Sequence, residues 1–315
     1  MWEPVRRAGW LIVALAASAA AADEKFEIAG SLTPEVQASV TLRGALTPFS
    51  TSTLTDTRGR FRIERLEPGS YTLHVFAPGR GQMQRTIHVG PGAADERRRI
   101  VTHITLDGPA LLPDSSAVVS ARELAIPSRA LREYERAERS LARRDVRAAI
   151  THLEKATEIA PRYSAAWNHL GTIAYQTSRY GDAEQYFRRA LEADPDAFAP
   201  LVNLGGVLIN LQRLEEALQY NLHAVLKQPS DALANSQLGM TYLMLGNSAN
   251  AEKYLLNAVS LDPAHFSRPQ LFLAELYLRR GDRAGAVRQL ESFLSANPDS
   301  PEAATLRARI ASLRE

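Results

Sequence analysis

Residues 166–195 read AWNHLGTIAYQTSRYGDAEQYFRRALEADP, and the spacing inside this stretch returns throughout the C-terminal half. Pro161, Pro195, Pro229 and Pro263 stand 34 residues apart. Ala149, Ala183, Ala217 and Ala251 keep the same step, as do Ala156, Ala190, Ala224 and Ala258. The pairs Leu170-Gly171, Leu204-Gly205 and Leu238-Gly239 follow it too. Self-similarity at such a period marks a chain built by stacking one supersecondary unit. Within the unit, apolar residues at helical spacing fall on two segments, which predicts a helical hairpin. Small residues such as Gly171 and Ala183 are expected at the crossing of the two helices. Trp167, Leu170 and Phe187 are expected to fill the space toward the next hairpin. The proline opens the turn to the following unit, because it lacks an N–H and disfavours helix before it. No hairpin of this kind buries its apolar face alone, so neighbours must stack.

This pattern resembles the tetratricopeptide repeat, with Trp167, Leu170, Gly171, Tyr180, Ala183, Phe187, Ala190 and Pro195 carrying the resemblance. It implies an all-α superhelical solenoid over residues 128–315. Five units are expected, at 130–163, 164–197, 198–231, 232–265 and 267–300, with a capping helix over 301–315. The first unit is degenerate, with Glu133 and Arg136 where the second has Trp167 and Leu170. The last has Phe293 in place of the recurring alanine.

The N-terminal half changes character. Phe61 and Ile63 alternate with Arg60, Arg62 and Glu64, and Tyr71, Leu73 and Val75 alternate with Thr72 and His74. Ile87 and Val89, then Ile100, Ile104 and Leu106, continue the alternation; Phe26, Ile28, Val40 and Leu42 mark earlier strands. Period-two patterning sets one face on a core and the other in water. Asp56-Thr57-Arg58-Gly59 and Glu67-Pro68-Gly69-Ser70 supply turn chemistry between the strands. Residues 24–107 are therefore expected to form a small antiparallel β-sandwich. The string LTDTRGRFRIERLEPGSYTLHVFAPGR (54–80) resembles the carboxypeptidase regulatory-like domain, a prealbumin-like sandwich, through Asp56, Gly59, Phe61, Leu66, Pro68, Gly69 and Tyr71. Some similar folds bind carbohydrate, so the resemblance admits a glycan at this domain. Residues 108–127, rich in proline and serine, break both periodicities and read as a linker.

The first 22 residues have Arg6 and Arg7, an apolar run from Trp10 to Ala17 and small residues through Ala22, the layout of an export signal. The expected location is the periplasm or the medium around a bacterial cell. No later stretch is apolar enough to span a bilayer. Removal of the signal takes the formal net charge from +2 to +1, which gives no push toward nucleic acid. The absence of cysteine excludes disulfides, thiolate metal sites and a cysteine nucleophile. No Gly-rich phosphate loop, Gly-x-Ser-x-Gly elbow or helical His-x-x-x-His pair is present, so no enzyme, cofactor or metal is expected. His74, His88 and His103 lie on polar faces of strands that could neighbour one another.

The resemblance implies that the first helix of each hairpin lines the concave surface. One 34-residue line there is Glu135, His169, Asn203 and Gln237. Asn168, Thr172, Tyr175 and Gln176 run beside it, followed by Asn210, Ser236, Met240 and Met244, with Val202 and Ile209 adding apolar area. Amide side chains among apolar neighbours suit an extended peptide, whose main chain they would bond. The expected function is a non-catalytic scaffold for a protein or peptide; the alternative is glycan recognition by the sandwich, with the repeats mediating assembly. Repeats that grip a C-terminal carboxylate place a lysine and an asparagine where this chain has Asn168 and Thr172, and only Asn203 matches them, so a clamp of that kind is not expected.

Overall fold

The computed structural model describes residues 24–106 and 125–315. The export signal and most of the expected linker fall outside them. Seven strands come first: β1 (Phe26–Thr33), β2 (Ser39–Gly44), β3 (Ser50–Leu54), β4 (Arg60–Leu66), β5 (Gly69–Ala77), β6 (Gly81–Val89) and β7 (Arg99–Thr105). They form two sheets, ordered β4-β1-β7 and β3-β2-β5-β6. Every pairing is antiparallel except β1 with β7, which runs parallel. The alternating residues Ile28, Val40, Leu42, Leu73, Val75 and Ile104 meet between the sheets in one core. β3 is polar apart from Leu54, and no hydrophobic alternation announces it; its pairing to β2 makes it a strand.

Eleven described helices follow: α1 (Ser128–Ala142), α2 (Val146–Ile159), α3 (Ser164–Gln176), α4 (Tyr180–Ala193), α5 (Phe198–Asn210), α6 (Leu214–Lys227), α7 (Ala232–Met244), α8 (Ser248–Leu261), α9 (Pro269–Arg279), α10 (Arg283–Ala296) and α11 (Ala303–Arg314). Each packs on its hairpin partner and on the next hairpin. The two alanine lines are completely buried, from Ala149 to Ala251 and from Ala156 to Ala258. Glycine in the first helix serves one purpose in three successive hairpins. A Cβ on Gly171 would meet the Phe187 ring at 2.5 Å, one on Gly239 would meet Leu255 at 2.7 Å, and one on Gly205 would meet Asn221 Oδ1 at 1.9 Å. Gly171 thus lies under the Phe187 ring, and Phe187 shares a core cluster with Leu204, Val207 and Leu208 of the next hairpin.

The turn inside each hairpin also repeats. Arg144, Ser178 and Gln212 hold φ near 60°, and Gly246 and Gly281 hold 79° and 78° at the equivalent places. This left-handed conformation suits glycine and strains other residues. Asp145, Asp231, Asn247 and Asp282 cap the helices that follow them, each accepting a hydrogen bond from a main-chain N–H three residues on.

Candidate functional site

The sandwich lies across the inner, first-helix side of the solenoid and is tied to it along its length by single polar contacts. At the first hairpin, Arg144 approaches Glu67 Oε2 at 3.3 Å, donates to Tyr71 Oη at 3.3 Å and sits 4.7 Å over the Phe49 ring. At the second, Gln176 Nε2 donates to Gly44 O at 3.0 Å. Further along, the Thr86 N–H donates to Asp262 Oδ2 at 2.9 Å, and His88 Nε2 bonds Ala264 O at 2.9 Å. At the far end, the Gly92 N–H donates to Asp299 Oδ1 at 2.7 Å. Thr86 lies on the edge strand β6, so Asp262 satisfies a donor that the sheet leaves unpaired.

Between these contacts is a cavity of about 720 Å³. Its β wall includes Arg43, Thr72, His74, Gln82 and Gln84, on the outer face and edge of the four-stranded sheet. Its helical wall includes Asn168, His169, Thr172, Tyr175, Gln176, Val202, Asn203 and Gln237, all in the sequence-predicted groove. The 34-residue step brings them together because one position of each first helix recurs on the same side of the stack.

The amides here are only partly engaged. Asn203 Nδ2 donates to Asn168 Oδ1 at 3.0 Å, linking α5 to α3. That bond leaves the Asn168 amide hydrogens and the Asn203 carbonyl facing other partners. Gln237 is 8% exposed, and its Oε1 has no partner. Its Nε2 occupies the space a Cβ on Gly206 would need, at 2.4 Å. His169, also 8% exposed, stacks on Tyr134 with centroids 5.2 Å apart and has an unpartnered Nδ1. Burial, with the Arg43 charge adding to it, pushes its pKa down to about 3, so the ring is neutral near pH 7. His265, in the turn after α8, completes the wall. Its Nδ1 lies 2.6 Å from Ser267 Oγ and 3.2 Å from Ser267 N, and its buried Nε2 has no partner. Burial pushes the His265 pKa down to about 4.

The other sequence-selected residues lie elsewhere. Ile209 is buried in a core cluster with Ala174 and Leu208, so it adds no surface. Ser236 is 2% exposed and accepts a hydrogen bond from Ser267 Oγ, which makes it part of a hairpin junction. Asn210 Nδ2 donates to Tyr175 Oη at 3.1 Å outside the cavity, where Met244 is also exposed, and Met240 packs against the core. The three strand histidines do not gather: His74 and His88 are on the β5–β6 sheet, while His103 is on β7, between Ser31 and Thr33. Among the described residues no group of acidic or histidine side chains could hold a metal, and no helix is long and apolar enough to cross a membrane. The only aromatic ring of the sandwich that is not buried is Phe76, which is half-buried. Sequence reasoning missed the cavity's β wall, Arg43 above all, because nothing in the alternation of β2 says what its outer face meets.

A β-sandwich set on the inner side of a helical-hairpin solenoid defines a two-domain repeat protein. The sequence model of the carboxypeptidase regulatory-like domain matches residues 29–102. Tetratricopeptide repeat models match residues 134–198, 174–239 and 242–310, together more than half of the chain, and the protein belongs to the tetratricopeptide repeat family. A search of curated proteins finds no match. Among solved structures, PilW, a type IV pilus biogenesis factor, is similar at 23% identity and TM-score 0.53, covering 59% of this chain and 86% of PilW. The Pseudomonas aeruginosa protein pilF is similar at 23% identity and TM-score 0.51, covering 62% of this chain and 86% of its own. YrrB, described as a tetratricopeptide protein with an unusual peptide-binding site, is 23% identical with TM-score 0.47, covering 60% of this chain and 98% of YrrB. Likeness at this level concerns the fold.

Proposed function

We propose that the protein is a non-catalytic scaffold of the bacterial cell envelope, exported by the segment 1–22, that binds an extended segment of a partner protein in the cleft under the sandwich. The observation that carries this reading is the line of half-engaged amides, Asn168, Asn203 and Gln237, on successive first helices facing one cavity. An extended main chain offers a donor and an acceptor at each residue, and these amides offer the complements. Wall groups that are neutral near pH 7, including His169, match an uncharged backbone. A concave solenoid face is also the usual binding surface of such repeats. The basic, then apolar, then small-residue order of positions 1–22 supports export.

The test is a peptide-display selection on the full mature chain, followed by affinity measurement with variants. Asn203→Ala should weaken the selected peptides by a few-fold to about tenfold, the worth of one uncharged hydrogen bond. Asn203→Ala with Gln237→Ala should weaken them further. Arg62→Ala is the control, because Arg62 pairs with Glu27 and Glu64 on an exposed part of the sandwich. Unchanged affinity in the double variant, with circular dichroism intact, would sink the cleft reading.

A further inference from the structure

One cation enters the cavity, and it comes from the sandwich. Arg43 on β2 lines the cavity, whose other wall groups are uncharged apart from the acids Asp231 and Asp262. Among the described residues its guanidinium forms no ion pair and no hydrogen bond. It is nevertheless central, since its charge weighs on His74 from β5, on Tyr134 and Glu138 from α1, and on His169 from α3. Glu138 is the one carboxylate in that group. Burial raises its pKa, Arg43 lowers it, and no ion pair closes between them. Asp231 is occupied with capping α7, and Asp262 with the Thr86 N–H. An arginine presents five donors in a planar fork that matches a carboxylate. The opposite wall adds the Asn168 amide hydrogens left over from its bond to Asn203. His169, Gln237 and His265, each at least nine-tenths buried and each with an unpartnered polar atom, line the same cavity. Arg43 is exposed on β2, so its donors are open to an anionic group that enters the cavity.

We propose that Arg43 receives a carboxylate of the bound peptide, so that the sandwich supplies the charge the repeat helices lack while the Asn168–Asn203 line holds the main chain. This rests on the reading of the cleft as a peptide site. The carboxylate has two sources, a peptide C-terminus or an acidic side chain, and both present the same two oxygens. The assignment gives the sandwich a share in recognition in addition to its place as a cover. It also makes binding depend on both domains at once, because Arg43 and the Asn168–Asn203 line stand on opposite walls.

The experiment uses the full mature chain and three mixtures of random nonapeptides. The first has free C-termini and no Asp or Glu; the second has amidated C-termini and one Asp or Glu; the third has amidated C-termini and no acid. The wild type should retain the first or the second mixture roughly 10- to 100-fold better than the third, the range expected for hydrogen bonds to a charged partner. Preference for the first assigns the site to a C-terminus, and preference for the second to a side chain. Arg43→Gln should abolish the preference, and Arg43→Lys should restore part of it. Asn203→Ala should weaken all retained mixtures alike. A preference that survives in Arg43→Gln overturns the proposal. Equal retention of all three mixtures, each weakened by Asn203→Ala, also overturns it and leaves the cleft reading standing. Retention of none overturns both.

Discussion

The sandwich and the solenoid bury their residues in different ways. The sandwich has one continuous core from Phe26 to Leu106, and its buried polar residues are only Ser50, Thr55 and Thr86. The solenoid divides its core into five clusters, and it also buries Glu133, His169, Asn221, Asn235, Gln237, His265 and Gln270. Several of those polar groups have an atom without a partner, as does Thr86 Oγ1 in the sandwich. A sheet sandwich closes on itself, so a polar group inside it has nowhere to find a ligand. A solenoid contacts only its neighbours, so its core is divided among the junctions between hairpins. The sandwich thus closes over a single apolar core, whereas the helical half buries polar groups at intervals along its stack.

The sharpest way to break this comparison is core truncation. Leu73, fully buried in the single core of the sandwich, should cost about 2–5 kcal/mol as Leu73→Ala. Phe187→Ala, which empties the space over Gly171, should cost about 3–5 kcal/mol. The two should differ in kind. Urea unfolding of Leu73→Ala should show the whole sandwich lost in one step, while helical circular dichroism persists. Phe187→Ala should lower the helical transition and broaden it. Identical single transitions in both variants would mean that the domains unfold as one body and that the contrast is wrong.

Acid should separate the regions next. His169 is neutral when folded, with its pKa near 3, and His265 likewise, near 4, against an ordinary value of 6.5. Both folded values are depressed, so the unfolded chain binds these protons first. Stability is therefore full above about pH 6.5 and declines as pH falls toward the folded values, by roughly 1.4 kcal/mol per pH unit for each histidine. Urea midpoints between pH 7 and 5 should fall for the helical transition, and His169→Gln should remove part of the slope. An unaltered slope in that variant would show that His169 is not buried as described.

A smaller effect tests the register of the repeats. Ala183 has no exposed surface, and Ala183→Leu should overpack the second hairpin at a cost of about 1–3 kcal/mol, read as a lower melting temperature. An unchanged melting temperature would contradict the helix pairing. The smallest effect concerns the seam. Asp299→Ala removes the bond from the Gly92 N–H, an exposed contact, and should shift stability by less than about 1 kcal/mol. Limited proteolysis should then cut faster around residues 90–98 while the melting of each domain stays the same. A large fall in stability would mean that the seam carries more of the fold than its few contacts suggest.

Much of the cavity's helical wall was legible in the sequence. The step of 34 set His169, Asn203 and Gln237 in line, and all three line the cavity. Ile209 and Ser236 were misread as surface because helical spacing gives an angle around the axis, and the depth to which the next hairpin covers that angle is a packing outcome. Asn221 was passed over because it stands where Phe187 and Leu255 stand in the flanking hairpins; only its bond to Thr241 Oγ1, at 3.0 Å, explains a fully buried amide there. The polar strand β3 had no alternation to betray it.

The sequence by itself determined the two architectures. Periodicity is a property of near neighbours, repeated many times, and each repetition restates which residues must be buried. Alternation from Phe61 to Val89 and the 34-residue step from Pro161 to Pro263 each say the same thing several times over. Only the tertiary structure decided how the two halves meet. That seam consists of a few single contacts, such as Gln176 with Gly44 and Thr86 with Asp262, between residues more than a hundred positions apart. Such contacts occur once each and follow no pattern, so Arg43 gave no sign in the sequence that it would face Asn168 and His169 across a cavity.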